Sequence, residues 1–219
     1  MKAVILCAGE GTRMRPFTYV SAKHFIPIAN KPQISYIVDY IVQAGIKEIG
    51  VVVNPHREAE FRHNLELLNQ WGVKFQYITQ PQPKGLADAV RCAQNFVGEE
   101  PFLVVLGDNL LENGIRYFID RFLAERPDAS ILLSEVEDPR QFGVAQVEHS
   151  EIKQLVEKPK NPPSNLAIVG IYMLTSKIFE AIREIKPSWR GELEITDAIQ
   201  KLIDKGYRVT PHLVQGWWK

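Results

Sequence analysis

With 219 residues, 45% of them hydrophobic, the chain suffices for one large α/β domain or two small ones with a sizeable core. Lysine plus arginine equals aspartate plus glutamate at 26 each, with no dominant basic run, which argues against a duplex nucleic-acid binder. No apolar run nears the roughly 18–20 residues of a bilayer span, and no signal-type stretch opens the sequence, so a cytoplasmic protein with no membrane or nucleic-acid partner is expected.

In chain order, residues 2–6 (KAVIL) read as a short apolar strand running into the loop CAGEGTRMRP, residues 7–16. Ile34, Ile37, Val38 and Ile41 then keep the i, i+3, i+4, i+7 spacing of a helix, with Gly45 as its stop. EIGVVV (48–53) is a buried strand, Glu58 to Gln70 a polar helix, and VKFQYI (73–78) another strand. Leu86, Ala89, Val90, Ala93 and Val97 mark a further helical stripe. PFLVVLGD (101–108) is the most apolar strand, followed by a helix through Ile115, Phe118, Ile119, Phe122 and Leu123 and a strand SILLSEV (130–136). This βαβα alternation predicts a mostly parallel, Rossmann-like sheet with helices on both faces, whose ligands sit at the carboxyl ends of the strands.

The second half changes character. FGVAQVEHS and IKQLVEKP alternate apolar and polar residues as a half-buried antiparallel pair does; a proline-rich loop (159–164), a strand LAIVGIYML (166–174) and helices near 176–185 and 192–205 follow. No repeat or flexible linker is visible. A single domain is expected over 1–219, with a smaller antiparallel lobe from about residue 136.

Several residues can carry chemistry. Gly9 and Gly11 clear the strand's end for a close backbone approach, successive N–H groups from Gly9 to Arg13 can form an anion nest, and Arg13 and Arg15 are forks for phosphate oxygens. An ordinary turn with solvated arginines is the plainer reading. The loop is neither a P-loop nor the dinucleotide fingerprint, since Met14 occupies the third glycine's place. Lys23 can add a point charge, although a lone lysine is more often solvated. Asp108, directly after an apolar strand and a glycine, suits a hard divalent cation or, equally, a turn cap. Glu157 and Lys158 can meet sugar hydroxyls and a phosphate, or form a surface ion pair at a strand end. Gln80 offers an amide to the edge of a base from a loop stiffened by prolines, although a stiff loop before a helix needs no ligand to explain it. Cys7 and Cys92 lack metal-ligand spacing and pack as small hydrophobes, and Trp189, Trp217 and Trp218 are core or rim aromatics.

The stretches AGEGTRMRPFT, AKHFIPIANKP, QPQPKGLADA, LGDN, FGVAQV, EKPKNPPS and WRGELEITDAI, in this order, resemble the sugar-1-phosphate nucleotidylyltransferases, and within them the glucose-1-phosphate thymidylyltransferases of the longer form. The resemblance covers essentially the whole sequence. It implies that Ala8, Gly9, Gly11 and Thr12 wrap the nucleotide and that Arg13 meets the reacting phosphates. Lys23 would bind phosphate, Gln80 and the backbone of Gly85 would read a pyrimidine, and Asp108 would hold Mg²⁺. Gly143, Glu157, Tyr172 and Trp218 would line the sugar pocket, with Lys158 on the sugar phosphate. Ala8 stands where the short thymidylyltransferases usually carry glycine, and Lys84 replaces a common aspartate in the base loop. In the family the final run continues into Asp-Thr-Gly, whose aspartate is a second Mg²⁺ ligand; the sequence as given stops at Lys219, one residue short of that position.

The function implied is transfer of a nucleotidyl group from dTTP or UTP to a sugar 1-phosphate, glucose 1-phosphate foremost, giving an NDP-sugar such as dTDP-glucose and pyrophosphate. The alternatives are a nucleotide- or sugar-nucleotide-binding module of the same fold, and a glycosyltransferase, which usually carries Asp-x-Asp where this sequence has Asp108-Asn109-Leu110. The sequence ranks neither dTTP against UTP nor one sugar against another. It leaves open whether Trp217 and Trp218 make a homo-oligomer interface or are a packing detail.

Overall fold

β1 (Lys2–Leu6) lies at the heart of the fold, and its side chains show why the sheet must be covered twice. Val4, Leu6 and, beyond the strand, Ala8 join one hydrophobic cluster, while Ala3, Ile5 and Cys7 join another on the opposite face. The computed structural model describes residues 1–216 and Trp218; Trp217 and Lys219 lie outside the described residues.

After β1 come a short helix α1 (Phe17–Val20), a two-strand hairpin of β2 (Pro27–Ile28) and β3 (Lys31–Pro32), and α2 (Gln33–Gln43). α2 stops where expected: Gly45 has φ +82° and its N–H reaches the Val42 carbonyl at 2.8 Å. β4 (Glu48–Val53), α3 (Glu58–Leu67), β5 (Lys74–Thr79), α4 (Leu86–Cys92), α5 (Gln94–Val97) and β6 (Phe102–Leu106) complete the first half. The helical stripe from Leu86 to Val97 is thus two helices, which meet at Ala93.

α6 (Arg116–Glu125), β7 (Ala129–Glu135), β8 (Gly143–Glu148), β9 (Glu151–Glu157), β10 (Leu166–Leu174), α7 (Lys177–Glu184), α8 (Ile195–Asp204) and β11 (Val209–Leu213) follow. The nine-stranded sheet runs β11-β7-β10-β6-β1-β4-β5, with the β8–β9 hairpin branching from β10. β6, β1, β4 and β5 are parallel, as are β7 and β11, whereas β10 is antiparallel to both its path neighbours. α4, α5, α7 and α8 cover one face and α2, α3 and α6 the other. The Rossmann-like α/β reading therefore holds, with one refinement. The antiparallel part is continuous with the main sheet, because β10 returns to lie between β6 and β7.

The sequence reading missed β11. Pro211 sits inside it, and proline is tolerated because β11 is an edge strand, paired only with β7 on the main path. The last helix begins at Ile195 rather than near 192, because the residues before it are extended against the loop ahead of α4: Leu193 N–H donates to the Lys84 carbonyl at 2.7 Å, and Ala87 N–H to the Leu193 carbonyl at 3.0 Å.

Candidate active site

Parallel strands end together, so the loops after β1, β5 and β6 share one edge of the sheet. There a cleft of about 320 Å³ is lined by Ala8, Gly9, Lys23, Gln80, Gly85 and Asp108, among others. A larger concavity of about 540 Å³, walled by Tyr117, Phe118, Pro211 and His212, lies off the strand ends between α6 and β11. It holds none of the phosphate- or metal-suited residues of the glycine loop and β6 edge, so the smaller cleft is the candidate site.

The glycine loop is built from local chemistry. Gly11 is left-handed, with φ +64°, and a Cβ there would stand 2.9 Å from Thr18 Cγ2. The buried Thr18 hydroxyl donates to the Gly11 carbonyl at 2.9 Å and pins the loop from behind. Gly9 faces open space. Thr12 and Arg13 form a 3₁₀ turn on the exposed side, and among the described residues the Arg13 guanidinium has no hydrogen-bond or ion-pair partner. Arg15 leans toward Glu10 at 3.7 Å and over the Tyr19 ring instead.

Lys23 is not a solvated lysine: its ammonium pairs with the Asp108 carboxylate. Asp108 stands in the turn after β6, as the alternative reading allowed, but among the described residues its carboxylate accepts from no backbone N–H. Its carbonyl accepts from Gln33 Nε2 at 2.9 Å, and its carboxylate remains about one third exposed at the cleft. Beneath this pair His24 is 1% exposed, and burial, then the Lys23 charge, pulls its pKa down to about 4. Burial also pushes the Cys7 thiol well up, so Cys7 packs as an inert hydrophobe. Gly107 permits this crowding, because a Cβ there would lie 2.6 Å from both Cys7 Sγ and His24 Cδ2.

On the base side, Gln80 is 5% exposed and its Nε2 reaches the Gly85 carbonyl at 3.2 Å and Asp88 Oδ2 at 2.9 Å. Gly85 has φ +103°, and a Cβ would stand 2.5 Å from the Leu193 carbonyl oxygen. This glycine is demanded by packing against the segment ahead of α8 as well as by any ligand.

A second group of side chains gathers around the end of β9. Gly143 pairs with Glu157 in the β8–β9 register, and a Cβ on Gly143 would meet Thr196 Oγ1 at 2.8 Å. Thr196 donates to Glu157 Oε2 at 2.7 Å, and Arg190 bridges Glu157, Glu192 and Glu194 at 3.5, 2.9 and 3.3 Å. Burial raises the Glu194 pKa, with Glu157 adding to the effect. Burial and then Glu157 likewise raise that of the enclosed Tyr172 phenol. Lys158 is left-handed at φ +42°, its N–H bound to the Phe142 carbonyl at 3.0 Å, and no described side chain pairs with its ammonium. Trp218 ties this group to the cleft: its indole N–H donates to Asn109, next to Asp108, and its ring lies 5.3 Å from that of Phe142.

Of the candidate site residues named from the sequence, Ala8, Gly9, Lys23, Gln80, Gly85 and Asp108 line the cleft, and Gly143, Glu157, Lys158, Tyr172 and Trp218 belong to the neighbouring group. Gly11, Thr12 and Arg13 follow Gly9 in the glycine loop, Thr12 and Arg13 exposed. Arg15 turns to Glu10 and Tyr19 instead, and Trp217 lies outside the described residues. Trp189 is 83% exposed and belongs to neither the cleft nor that group. Asp88, Arg190, Glu192, Glu194, Thr196 and His24 had drawn no attention individually. The stretches QPQPKGLADA and WRGELEITDAI contain all but His24, yet nothing in their spacing shows which side chains turn inward.

The family described as Nucleotidyl transferase matches residues 2–219. Low-salt glycan biosynthesis nucleotidyltransferase Agl11 of Haloferax volcanii is 46% identical over 220 residues, covering 100% of this chain and 62% of the relative. Glucose-1-phosphate thymidylyltransferase of Streptomyces griseus is 44% identical with the same coverage, so the chain spans about 62% of the length of these curated relatives. A solved UDP-glucose pyrophosphorylase complexed with UDP-glucose superposes with a TM-score of 0.86 at 30% identity, over 99% of this chain and 91% of its own. Sequence, topology and cleft agree, and the chain belongs to the nucleotidyl transferase family.

Proposed function

We propose that the protein joins a sugar 1-phosphate, glucose 1-phosphate first, to dTTP or UTP, giving an NDP-sugar and pyrophosphate. The observation that carries this is the adjacency of the two groups of residues. A phosphate-suited glycine loop and a base-suited amide share a cleft with Asp108, and the next residue, Asn109, is tied through Trp218 to the Phe142–Gly143 side of the hydroxyl-suited cluster. The nucleotide would lie over residues 1–135 and the sugar against 136–219.

An oxygen of the sugar phosphate attacks the α-phosphorus, and the bond from that phosphorus to the pyrophosphate oxygen breaks. A phosphate monoester is already a nucleophile, so the protein needs no general base. Its work is alignment and neutralisation of crowded oxygens. Arg13 and the N–H groups from Gly9 to Arg13 would hold the triphosphate, and Lys158, whose ammonium has no partner among the described residues, the sugar phosphate. Glu157, oriented by Thr196 and Arg190, accepts from sugar hydroxyls. Among the described residues no cluster of three or more His, Cys, Asp or Glu could hold a metal ion by itself. The partly exposed Asp108 carboxylate nonetheless fits Mg²⁺, which commonly takes one or two carboxylates and completes its shell with phosphates and water. Bound there, Mg²⁺ would supply charge neutralisation at the phosphates. The names of the relatives, a thymidylyltransferase and a UDP-glucose pyrophosphorylase among them, support this reading and leave the two pyrimidines unranked. The site of action in this reading is the cytoplasm, where both substrates are at hand. Among the described residues no helix is long and apolar enough to cross a membrane.

The test is pyrophosphate release with glucose 1-phosphate, Mg²⁺ and dTTP or UTP. Release that requires both substrates is expected. Nucleotide binding without release, for every triphosphate and sugar phosphate tried, would replace the transferase with a binding module.

A further inference from the structure

α4 carries a carboxylate at a position its own packing does not call for. Ala87, Ala89 and Val90 around it are buried apolar residues, yet Asp88 between them has a side chain only 4% exposed. Burying an unpaired carboxylate costs several kcal/mol, and this one has two partners. Arg91, one turn on and half exposed, reaches Oδ1, and Gln80 Nε2 reaches Oδ2.

The second bond settles which way the Gln80 amide points. One terminal atom of that amide lies 2.9 Å from a carboxylate oxygen and 3.2 Å from the Gly85 carbonyl oxygen. Two acceptors fix this atom as the NH₂ group, whose two hydrogens are then both used. The atom left over is Oε1, an acceptor with no partner among the described side chains, on a residue that lines the cleft. Uracil and thymine carry an N–H at N3 where cytosine carries a lone pair. A fixed acceptor at that height pairs with the first two and repels the third.

We propose that Asp88 is a positioning residue that locks the Gln80 amide with its oxygen toward the base, so that the cleft selects imide pyrimidines over cytosine. The proposal rests on the nucleotide-transfer reading above and deepens it. Asp88 itself touches no substrate.

The experiment measures binding of UTP, CTP and N3-methyl-UTP, with Mg²⁺, to the 219-residue protein, to Asp88→Asn and to Asp88→Asn/Arg91→Met. In Asp88→Asn the arginine retains the side-chain oxygen and turns the new NH₂ toward Gln80, so the amide is no longer locked. The UTP-over-CTP ratio should fall by about tenfold, the worth of one hydrogen bond. Removing Arg91 as well frees the oxygen of the introduced amide to accept from Gln80 and should restore the ratio, which a merely structural role of Asp88 would not do. UTP should also outbind N3-methyl-UTP in the unaltered protein. An unchanged UTP-over-CTP ratio in Asp88→Asn overturns the proposal and leaves the transfer reading standing, whereas no binding of any triphosphate by the unaltered protein removes both. Should Asp88→Asn fail to fold, exchange of the Gln80 side-chain amide protons in the unaltered protein decides: slow exchange is expected, and exchange at the free-amide rate overturns the proposal.

Discussion

Replacing Asp108 with asparagine keeps its shape and removes its charge, which separates chemistry from packing. The side chain is about one third exposed and, among the described residues, its one ion pair is with Lys23, so the loss in stability should be small, within about 1 kcal/mol. Its proposed work at the phosphates is not small: turnover in Asp108→Asn should fall by roughly a hundredfold or more. Pyrophosphate release and a thermal melt on the same preparation check both halves, and undiminished turnover would remove Asp108 from the chemistry. Lys158→Met probes the other substrate. The ammonium has no described partner to lose, so KM for the sugar 1-phosphate should rise by about tenfold, while KM for the nucleotide stays put. An equal rise in both would place Lys158 elsewhere in the reaction. Asp108 and Lys158 were legible as candidates: Asp108 follows β6 by one glycine at the carboxyl end of a parallel strand, where such a sheet presents ligand groups, and Lys158 follows directly on the antiparallel β9 beside Glu157. Arg190, Thr196 and His24 were not. Arg190 and Thr196 act on Glu157, 33 and 39 residues earlier, and His24 is enclosed by Cys7, Phe61 and Gly107. Pairings at that range leave no periodic trace.

The element that decides whether the two halves act together is the extended segment before α8. It docks on the loop ahead of α4 through the paired Lys84–Leu193 and Leu193–Ala87 backbone bonds. Gly85 lies between these anchor points with φ +103° and no room for a Cβ. Gly85→Ala must therefore strain the backbone and push the Leu193 segment away. A stability loss of about 2–4 kcal/mol is expected, together with weaker nucleotide binding, because Gln80 Nε2 is held partly by the Gly85 carbonyl. Urea unfolding and nucleotide titration of the variant test the pair of effects; loss of stability with intact binding would show that the docking is structural alone. The same segment explains what the sequence did and did not disclose about elements. Strands buried on both faces were readable as short continuous apolar runs, and helices by their apolar stripes. The extended segment owes its shape to a partner more than a hundred residues earlier. β11, with proline inside it, is a strand only because β7 offers it an edge.

At the scale of the whole molecule, the sheet edge that gathers the ligand groups must also bury what holds them, and His24 shows what that costs. Its ring sits where the residues after β1, the glycine before Asp108 and Phe61 of α3 converge, and its buried Nδ1 has no hydrogen-bond partner among the described residues. Burial is the largest reason its pKa falls from 6.5 to about 4; Lys23 acts in the same direction, with Asp108 and Glu60 opposing. The folded state thus binds this proton less readily than the unfolded chain. The contribution is fully present above pH 6.5 and is lost as pH falls toward 4, by roughly 3 kcal/mol over that window. Urea unfolding between pH 7 and pH 4 should accordingly show a steeper decline for the unaltered protein than for His24→Asn, which has no imidazole to protonate. Carboxylates titrate in both proteins and cancel in the difference, so the gap between the two slopes isolates His24. Parallel slopes would mean that the ring escapes its enclosure before it is protonated. The strap from Lys23 to Phe25 would then open in acid without unfolding the sheet beneath it.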